Sequence, residues 1–252
     1  LALLPGLEEE NNEFFDQVLQ LFDSICRNVE QTYFYQALFL CLITAPDLRG
    51  AALHYLARRL PKLTQLEDVS FVVGDDPSLM VHAFAATLRD QNPLVQRAIL
   101  ELLVNNFNLD SQLIDGKDIT LLLSAAVEVI LRRDMSLNRR LYAWFLGSSD
   151  SRRDKQEYFR KYVHHHLVLA LKDMFRIRST DLNLLQKPYR IMISLLDRSE
   201  IGIPLIQNLI RDILRCTYEF TRKNPVPQSD KVLQTARMFF EMTDPYLIWA
   251  KL

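Results

Sequence analysis

Hydrophobic residues recur every three to four positions along nearly the whole chain, with polar residues between them. The first such stripe consists of Phe14, Val18, Leu21, Phe22, Ile25 and Val29. This spacing places apolar side chains on one face of an α-helix. No segment shows the sustained apolar–polar alternation of a half-buried strand, so the pattern predicts a chain made of helices.

Capping residues mark the predicted helix starts, as at Asn92, which precedes a proline in the first helical position. The predicted helices are 9–29, 31–45, 47–60, 65–73, 77–90, 93–107, 119–133, 137–146, 154–176, 182–197, 203–222, 230–243 and 245–251. Connections of a few residues between helices of this length indicate antiparallel neighbours. We therefore expect an all-α, HEAT/armadillo-like helical solenoid of antiparallel helix pairs.

The chain reads as a single helical-repeat segment over residues 1–252, forming part of a larger N-terminal domain. It begins at Leu1 without an initiator methionine, so we expect it to be a piece of a longer protein. Two polar stretches are candidate interruptions: an exposed loop at 147–154 and a proline-containing break at 224–230.

Composition narrows the classes of function. With 30 Lys and Arg against 31 Asp and Glu, the chain lacks the basic excess from which nucleic-acid binders gain most of their affinity. Its three cysteines are widely spaced, which fits a reducing compartment. The longest apolar runs are shorter than the roughly 20 residues that span a bilayer. These features predict a cytoplasmic protein that does not bind nucleic acid.

Neither a catalytic site nor a cofactor or metal site is predicted. The six glycines are far apart, so no dinucleotide or phosphate-binding loop can form. His164, His165 and His166 are consecutive, and consecutive helical side chains point about 100° apart and cannot converge on one metal. The cysteines lack a neighbouring base. We therefore expect a protein that is not an enzyme.

Arginines cluster at the end of one predicted helix and the start of the next. Arg132 and Arg133 suit the C-terminal end of a helix dipole, whereas Arg139 and Arg140 fall in the first turn of the next helix, where the dipole disfavours them by up to about 1 kcal/mol. Two interpretations stay open. Asp134 or an acidic side chain of a neighbouring helix compensates the charge, or the four arginines bind an anionic lipid headgroup or acidic peptide.

The same stretch carries a family resemblance. The sequence RRDMSLNRRLYAWFLG at 132–147 resembles a signature of the N-terminal region of the Dopey family. Three further stretches resemble that region in the same order: LLPGLEEE at 3–10, VQRAILELL at 95–103 and KPYRIMISLLD at 187–197. The resemblance covers about residues 3–200, and the family region begins before Leu1.

The resemblance implies a large peripheral membrane protein on the cytoplasmic side of Golgi and endosome membranes. It implies three kinds of protein partner: a scaffold related to Arf exchange factors, a type-four P-type ATPase lipid flippase and kinesin light chain. It also implies membranes that contain phosphatidylinositol 4-phosphate. If lipid binding belongs to this segment, the first candidates are Arg132, Arg133, Arg139 and Arg140, followed by Lys187 and Arg190.

Two hypotheses of function result. In the first, the segment is a non-enzymatic scaffold that docks partner proteins of a flippase-associated complex in Golgi–endosome vesicle trafficking. In the second, it is a phosphoinositide-binding module that recruits the protein to membranes through arginines at helix termini.

Overall fold

The computed structural model describes residues 2–9, 11–74, 76–223 and 230–251, without the side chains of Leu66 and Lys223. Within these residues the regular structure is helical and there is no β-strand. The α-helices are α1 Phe15–Asn28, α2 Gln31–Thr44, α3 Arg49–Arg59, α4 Leu66–Val73, α5 Ser78–Leu88, α6 Pro93–Asn106, α7 Gly116–Glu128, α8 Met135–Leu146, α9 Arg152–Tyr158, α10 His164–Arg176, α11 Leu182–Leu196, α12 Ser199–Lys223, α13 Asp230–Met242 and α14 Pro245–Trp249.

The chain divides into two compact units. The first contains Leu1–Val129 and Asp134–Trp144, and the second contains Ile130–Arg133 and Phe145–Leu252. Consecutive parts of a repeat array contact mainly their neighbours, so a continuous array can divide in this way as well. The single segment over residues 1–252 stays a prediction.

The first unit consists of helix pairs. Helices α2, α5 and α7 pack side by side, α3 packs on α6, and α5 and α6 also contact each other. The short connection between α5 and α6 makes this pair antiparallel. Aromatic rings fill the core around Phe22, Phe34 and Tyr55, whose ring centroids lie 5.4–6.1 Å apart. This unit also holds a largely buried ion pair between Arg49 and Asp90 at 2.6 Å.

The second unit has the same construction. Helix α10 packs on α12, α11 packs on α13, and α14 packs on α12. Phe239 of α13 is fully buried and lies 6.4 Å from the ring of Tyr189 on α11. The structure confirms the predicted all-α fold of paired helices in both units.

Helix ends follow the local chemistry, with some shifts from the predicted ends. The side chain of Asn92 accepts a hydrogen bond from the backbone N–H of Leu94, as a capping residue should. Helix α7 begins three residues before its predicted start, because Asp115 rather than Asp118 is its cap. Gly74 and Gly147 have positive φ angles of 75° and 71°, which glycine adopts without steric cost.

The predicted helix 154–176 is interrupted. Helix α9 is followed by a π-helical turn at Phe159–Val163 before α10 begins at His164. The predicted loop 147–154 turns at Gly147 and gives way to α9 at Arg152. Of the predicted break at 224–230, residues 224–229 lie outside the described residues, and α13 begins at Asp230.

Candidate functional site

The predicted arginine cluster begins where α7 tightens into a 3₁₀ turn at Val129–Arg132. Arg133 follows in the left-handed conformation, with φ 57°, and its N–H donates to the carbonyl of Ile130 at 3.0 Å. The carboxylate of Asp134 then accepts from the N–H groups of Ser136 and Leu137 at 2.7 and 3.1 Å. Asp134 therefore caps α8, which begins at Met135.

Arg140 is held inside the first unit. Its Nε donates to Glu101 Oε1 of α6 at 2.7 Å, and a second guanidinium nitrogen also contacts this oxygen. A third nitrogen donates to the hydroxyl of Ser136 at 2.7 Å. The Arg140 side chain is only 13% exposed. An acidic side chain of a neighbouring helix thus compensates this charge, which was one of the two interpretations left open by the sequence.

Arg139 has different surroundings. It is exposed, and within the described residues it makes neither an ion pair nor a hydrogen bond through its side chain. Because α8 begins at Met135, Arg139 and Arg140 are its fifth and sixth residues, not members of its first turn. The predicted dipole penalty is wrong for this reason, since the effect falls off beyond the first turn.

Arg132 and Arg133 are exposed and belong to the second unit, whereas Arg139 and Arg140 belong to the first. The other predicted residues lie on α11, where Lys187 is half-buried and Arg190 is exposed. Arg190 donates to the side-chain oxygen of Gln186 at 2.9 Å. Binding of an anion by any of these residues stays a prediction.

The three consecutive histidines make separate contacts. The rings of His165 and His166 contact each other, while His164 Nε2 lies 3.2 Å from the carbonyl oxygen of Pro204 and 3.2 Å from Asn208 Nδ2. In the described part of the chain, no group of three or more His, Cys, Asp or Glu residues could hold a metal ion. Burial lowers the pKa of His164, because the charged imidazolium loses hydration, and the positive charge of Arg160 acts in the same direction.

Helix α1 carries apolar side chains on two faces. One face packs into the first unit through Phe15, Leu19, Phe22 and Cys26. The other face consists of Phe14, just before the helix, with Leu21 and Ile25, which are 53%, 50% and 41% exposed. We call Phe14, Leu21 and Ile25 the outer face of α1. The sequence stripe contained these three residues but gave no signal that they would be exposed.

None of the described helices is both long and apolar enough to cross a bilayer.

Two family models match the chain: "Dopey, N-terminal" matches residues 1–150, and "DOP1 middle TPR domain" matches residues 158–252. No solved structure gives a significant match.

Curated relatives match over most of the chain. It is 31% identical over 267 residues to the protein DOP1 homolog of Drosophila pseudoobscura pseudoobscura, which covers 99% of this chain and 10% of that relative. It is 34% identical over 248 residues to protein DOP1B of Mus musculus, with 87% of this chain and 11% of that relative covered. It is 26% identical over 316 residues to protein DOP1 of Saccharomyces cerevisiae, with 100% of this chain and 18% of that relative covered. The chain thus spans less than a fifth of the length of these relatives, and it belongs to the Dopey family.

Proposed function

We propose that this chain is a non-enzymatic scaffold segment of a large protein that acts in Golgi–endosome vesicle trafficking. It docks partner proteins of a flippase-associated complex from the cytoplasmic side, where the protein is peripheral on Golgi and endosome membranes. Membership of the Dopey family supports a role in vesicle trafficking. The outer face of α1 supports the docking role, because helical-repeat proteins bind partners through extended surfaces and exposed apolar clusters favour protein contacts.

The partners proposed are the scaffold related to Arf exchange factors, the type-four P-type ATPase flippase and kinesin light chain. Each is tested as a purified protein against the immobilised chain. We expect at least one to be retained, and retention to be lost in Leu21→Ser/Ile25→Ser, which makes the outer face of α1 polar. Leu94→Ser is the matched control, because Leu94 is an exposed leucine of the same unit, on α6. A folded chain that retains none of the three contradicts the proposal.

A second candidate is binding to membranes that contain phosphatidylinositol 4-phosphate. Its support is Arg139, an exposed arginine without an ion pair in the described residues, since phosphate groups bind guanidinium strongly. Arg140 is not a suitable test residue, because its reversal would break the contact with Glu101.

Flotation with liposomes that contain or lack this lipid tests the second candidate. We expect binding that weakens with salt and is reduced in Arg139→Glu but not in Arg27→Glu, a charge reversal at an exposed position of α1. Binding that is unaffected by salt or by Arg139→Glu would remove the support for this candidate.

A further inference from the structure

A cleft opens in the second unit among α10, α11, α12 and the start of α13. Its volume is about 520 Å³, within the range of pockets that take a drug-sized ligand or a few side chains. Its walls are apolar and largely aromatic: Phe175, Pro188, Tyr189, Phe220 and Val232. We call these five residues, with Arg176 and Arg178 at their edge, the aromatic cleft. It lies on different helices from the outer face of α1.

The walls of the aromatic cleft are held in place by the fold. The rings of Phe175 and Tyr189 meet edge to face, with centroids 5.0 Å apart. The hydroxyl of Tyr189 is hydrogen-bonded to Thr217 on α12 at 2.8 Å, so this ring also links α11 to α12. Val232 is buried and closes the base from α13. A ligand would therefore enter a site that already exists, which keeps the entropic cost of binding low.

The charged residues at the edge of the aromatic cleft carry a net positive charge. Glu219 also lines the cleft, but it is paired with Arg215 one helical turn earlier at 3.1 Å. Of the two edge arginines, Arg176 lies 3.9 Å from Asp173, and both side chains are more than two-thirds exposed. Arg178 makes no side-chain hydrogen bond or ion pair within the described residues. Two exposed guanidinium groups therefore stand beside an apolar slot, a pairing that is complementary to a ligand with an apolar part and adjacent negative charge.

The two edge arginines favour a peptide over a fatty acid. Arg176 and Arg178 are separate exposed guanidinium groups that line the cleft. A fatty acid carries a single carboxylate, whereas an acidic peptide carries several and can pair with both guanidinium groups. We propose that the aromatic cleft binds a short acidic segment of a partner protein, with an aromatic or branched aliphatic side chain packed against Phe175 and Tyr189 and its carboxylates on Arg176 and Arg178.

This proposal rests on the docking role proposed above and adds a second contact with its own partner chemistry. Its test uses the whole 252-residue chain and three fluorescein-labelled peptides. The first has acidic residues on both sides of a Leu-Phe pair. The second keeps the acidic residues but has Ala-Ala in place of Leu-Phe, and the third keeps Leu-Phe but has lysines in place of the acidic residues. We expect fluorescence anisotropy to show binding of the first peptide alone.

Two variants separate the aromatic cleft from general charge attraction. Arg176→Glu/Arg178→Glu should weaken binding of the first peptide by about tenfold, since two partly exposed ion pairs are together worth about 1.4 kcal/mol. Arg237→Glu, at an exposed position of α13 in the same unit, should leave binding unchanged. All three arginines are exposed, so far-ultraviolet circular dichroism should be the same for both variants. Equal binding of all three peptides, or equal binding by both variants, overturns the proposal.

Cys216 gives an independent readout of where the peptide binds. It lines the aromatic cleft and is half-buried, whereas Cys26 and Cys41 are buried. The first peptide should slow the reaction of Cys216 with a maleimide, and Cys216→Ser should abolish that reaction. If oleate protects Cys216 and the first peptide does not, the cleft is a lipid site and the peptide proposal fails.

The two proposals fail separately. If a purified partner is retained through the outer face of α1 but no acidic peptide binds, only the aromatic cleft proposal is overturned. If the first peptide binds and protects Cys216 but none of the three partners is retained, the proposed set of partners fails and the cleft proposal stands.

Discussion

At the scale of single residues, the two arginines in the middle of α8 differ in what their removal should do. Arg140 is mostly buried and shares its donors between Glu101 and Ser136. Arg140→Ala removes these hydrogen bonds, although Glu101 keeps a longer contact with Arg97 at 3.4 Å, and hydrogen bonds to charged groups are worth about 1.5–3 kcal/mol. We expect the free energy of unfolding of the first unit to fall by an amount in this range, measured by urea titration.

Arg139→Ala is the matched control for Arg140→Ala. Arg139 is exposed on the same helix, so its removal should change the free energy of unfolding by no more than about 0.5 kcal/mol. A double-mutant cycle between Arg140 and Glu101 should show a positive coupling energy. Equal losses for Arg139→Ala and Arg140→Ala, or no coupling to Glu101, would contradict the structural role of Arg140.

His164 should make the stability of the second unit depend on pH. Its pKa is lowered from the ordinary 6.5, first by burial and then by the neighbouring charges of His165 and Arg160. The unfolded state therefore binds more protons near this pH, and stability falls as the pH drops from above 6.5 through the lowered pKa. We expect His164→Gln to lose less stability than the unsubstituted chain between about pH 7.5 and about pH 5.5.

Urea unfolding of the second unit at the two pH values measures this effect. His82→Gln is its control, because His82 is an exposed histidine of the first unit. The pH dependence should stay the same in that variant. If His164→Gln is as sensitive to acid as the unsubstituted chain, the folded state does not hold His164 neutral.

At the scale of elements, the sequence predicted which stretches are helical far better than which side of a helix is buried. Some helix starts could be predicted because capping is local chemistry, as at Asn92, whereas α1 begins at Phe15, six residues after its predicted start. The buried face of α1 could not be predicted, because its apolar residues form one continuous sector of about 160° at 100° per residue, and periodicity does not say which part of that sector meets a neighbour. The π-helical turn at Phe159–Val163 was not predicted either, because no proline or glycine marks it in the sequence.

The candidate sites were also only partly predictable from the sequence. The arginines at 132–140 could be found from the sequence because they are close together in it. Their roles could not, because the partner of Arg140 is Glu101, which is 39 residues away. The aromatic cleft was missed entirely, since its walls come from α10, α11, α12 and α13, and no short stretch of sequence contains enough of them to be noticed.

Substitutions on the two faces of α1 should differ in their effect on the free energy of unfolding. Phe22 is buried, and its ring lies 6.1 Å from Phe34 and 5.4 Å from Tyr55. Phe22→Ala should therefore lower the free energy of unfolding by about 3–5 kcal/mol. Ile25→Ala, on the outer face of the same helix, should lower it by only about 1 kcal/mol, because Ile25 keeps 41% of its surface exposed whereas Phe22 keeps 5%. Urea titrations compare the two, and similar losses would mean that the outer face of α1 is covered.

At the scale of the whole molecule, the two compact units should unfold as separate transitions, because each has its own apolar core. The two tryptophans allow this to be measured. Trp144 is buried in the first unit, where its indole N–H donates to the carbonyl of Phe107 at 2.8 Å, while Trp249 in the second unit is exposed. In a Trp249→Phe background, tryptophan fluorescence therefore reports the first unit alone, and far-ultraviolet circular dichroism reports both.

One substitution in each unit then tests their independence. Asp90→Asn leaves Arg49 without its buried partner and should cost the first unit about 3–5 kcal/mol, while Phe239→Ala should cost the second unit about as much, through the cavity that it leaves. The fluorescence transition of Trp144 should move to lower urea with Asp90→Asn and stay in place with Phe239→Ala, although the circular dichroism transition shifts in both. If both substitutions move one common transition, the two units fold as a single cooperative body. That result would support the single helical-repeat segment predicted from the sequence, because interfaces between neighbouring repeats would then couple residues 1–252 from end to end.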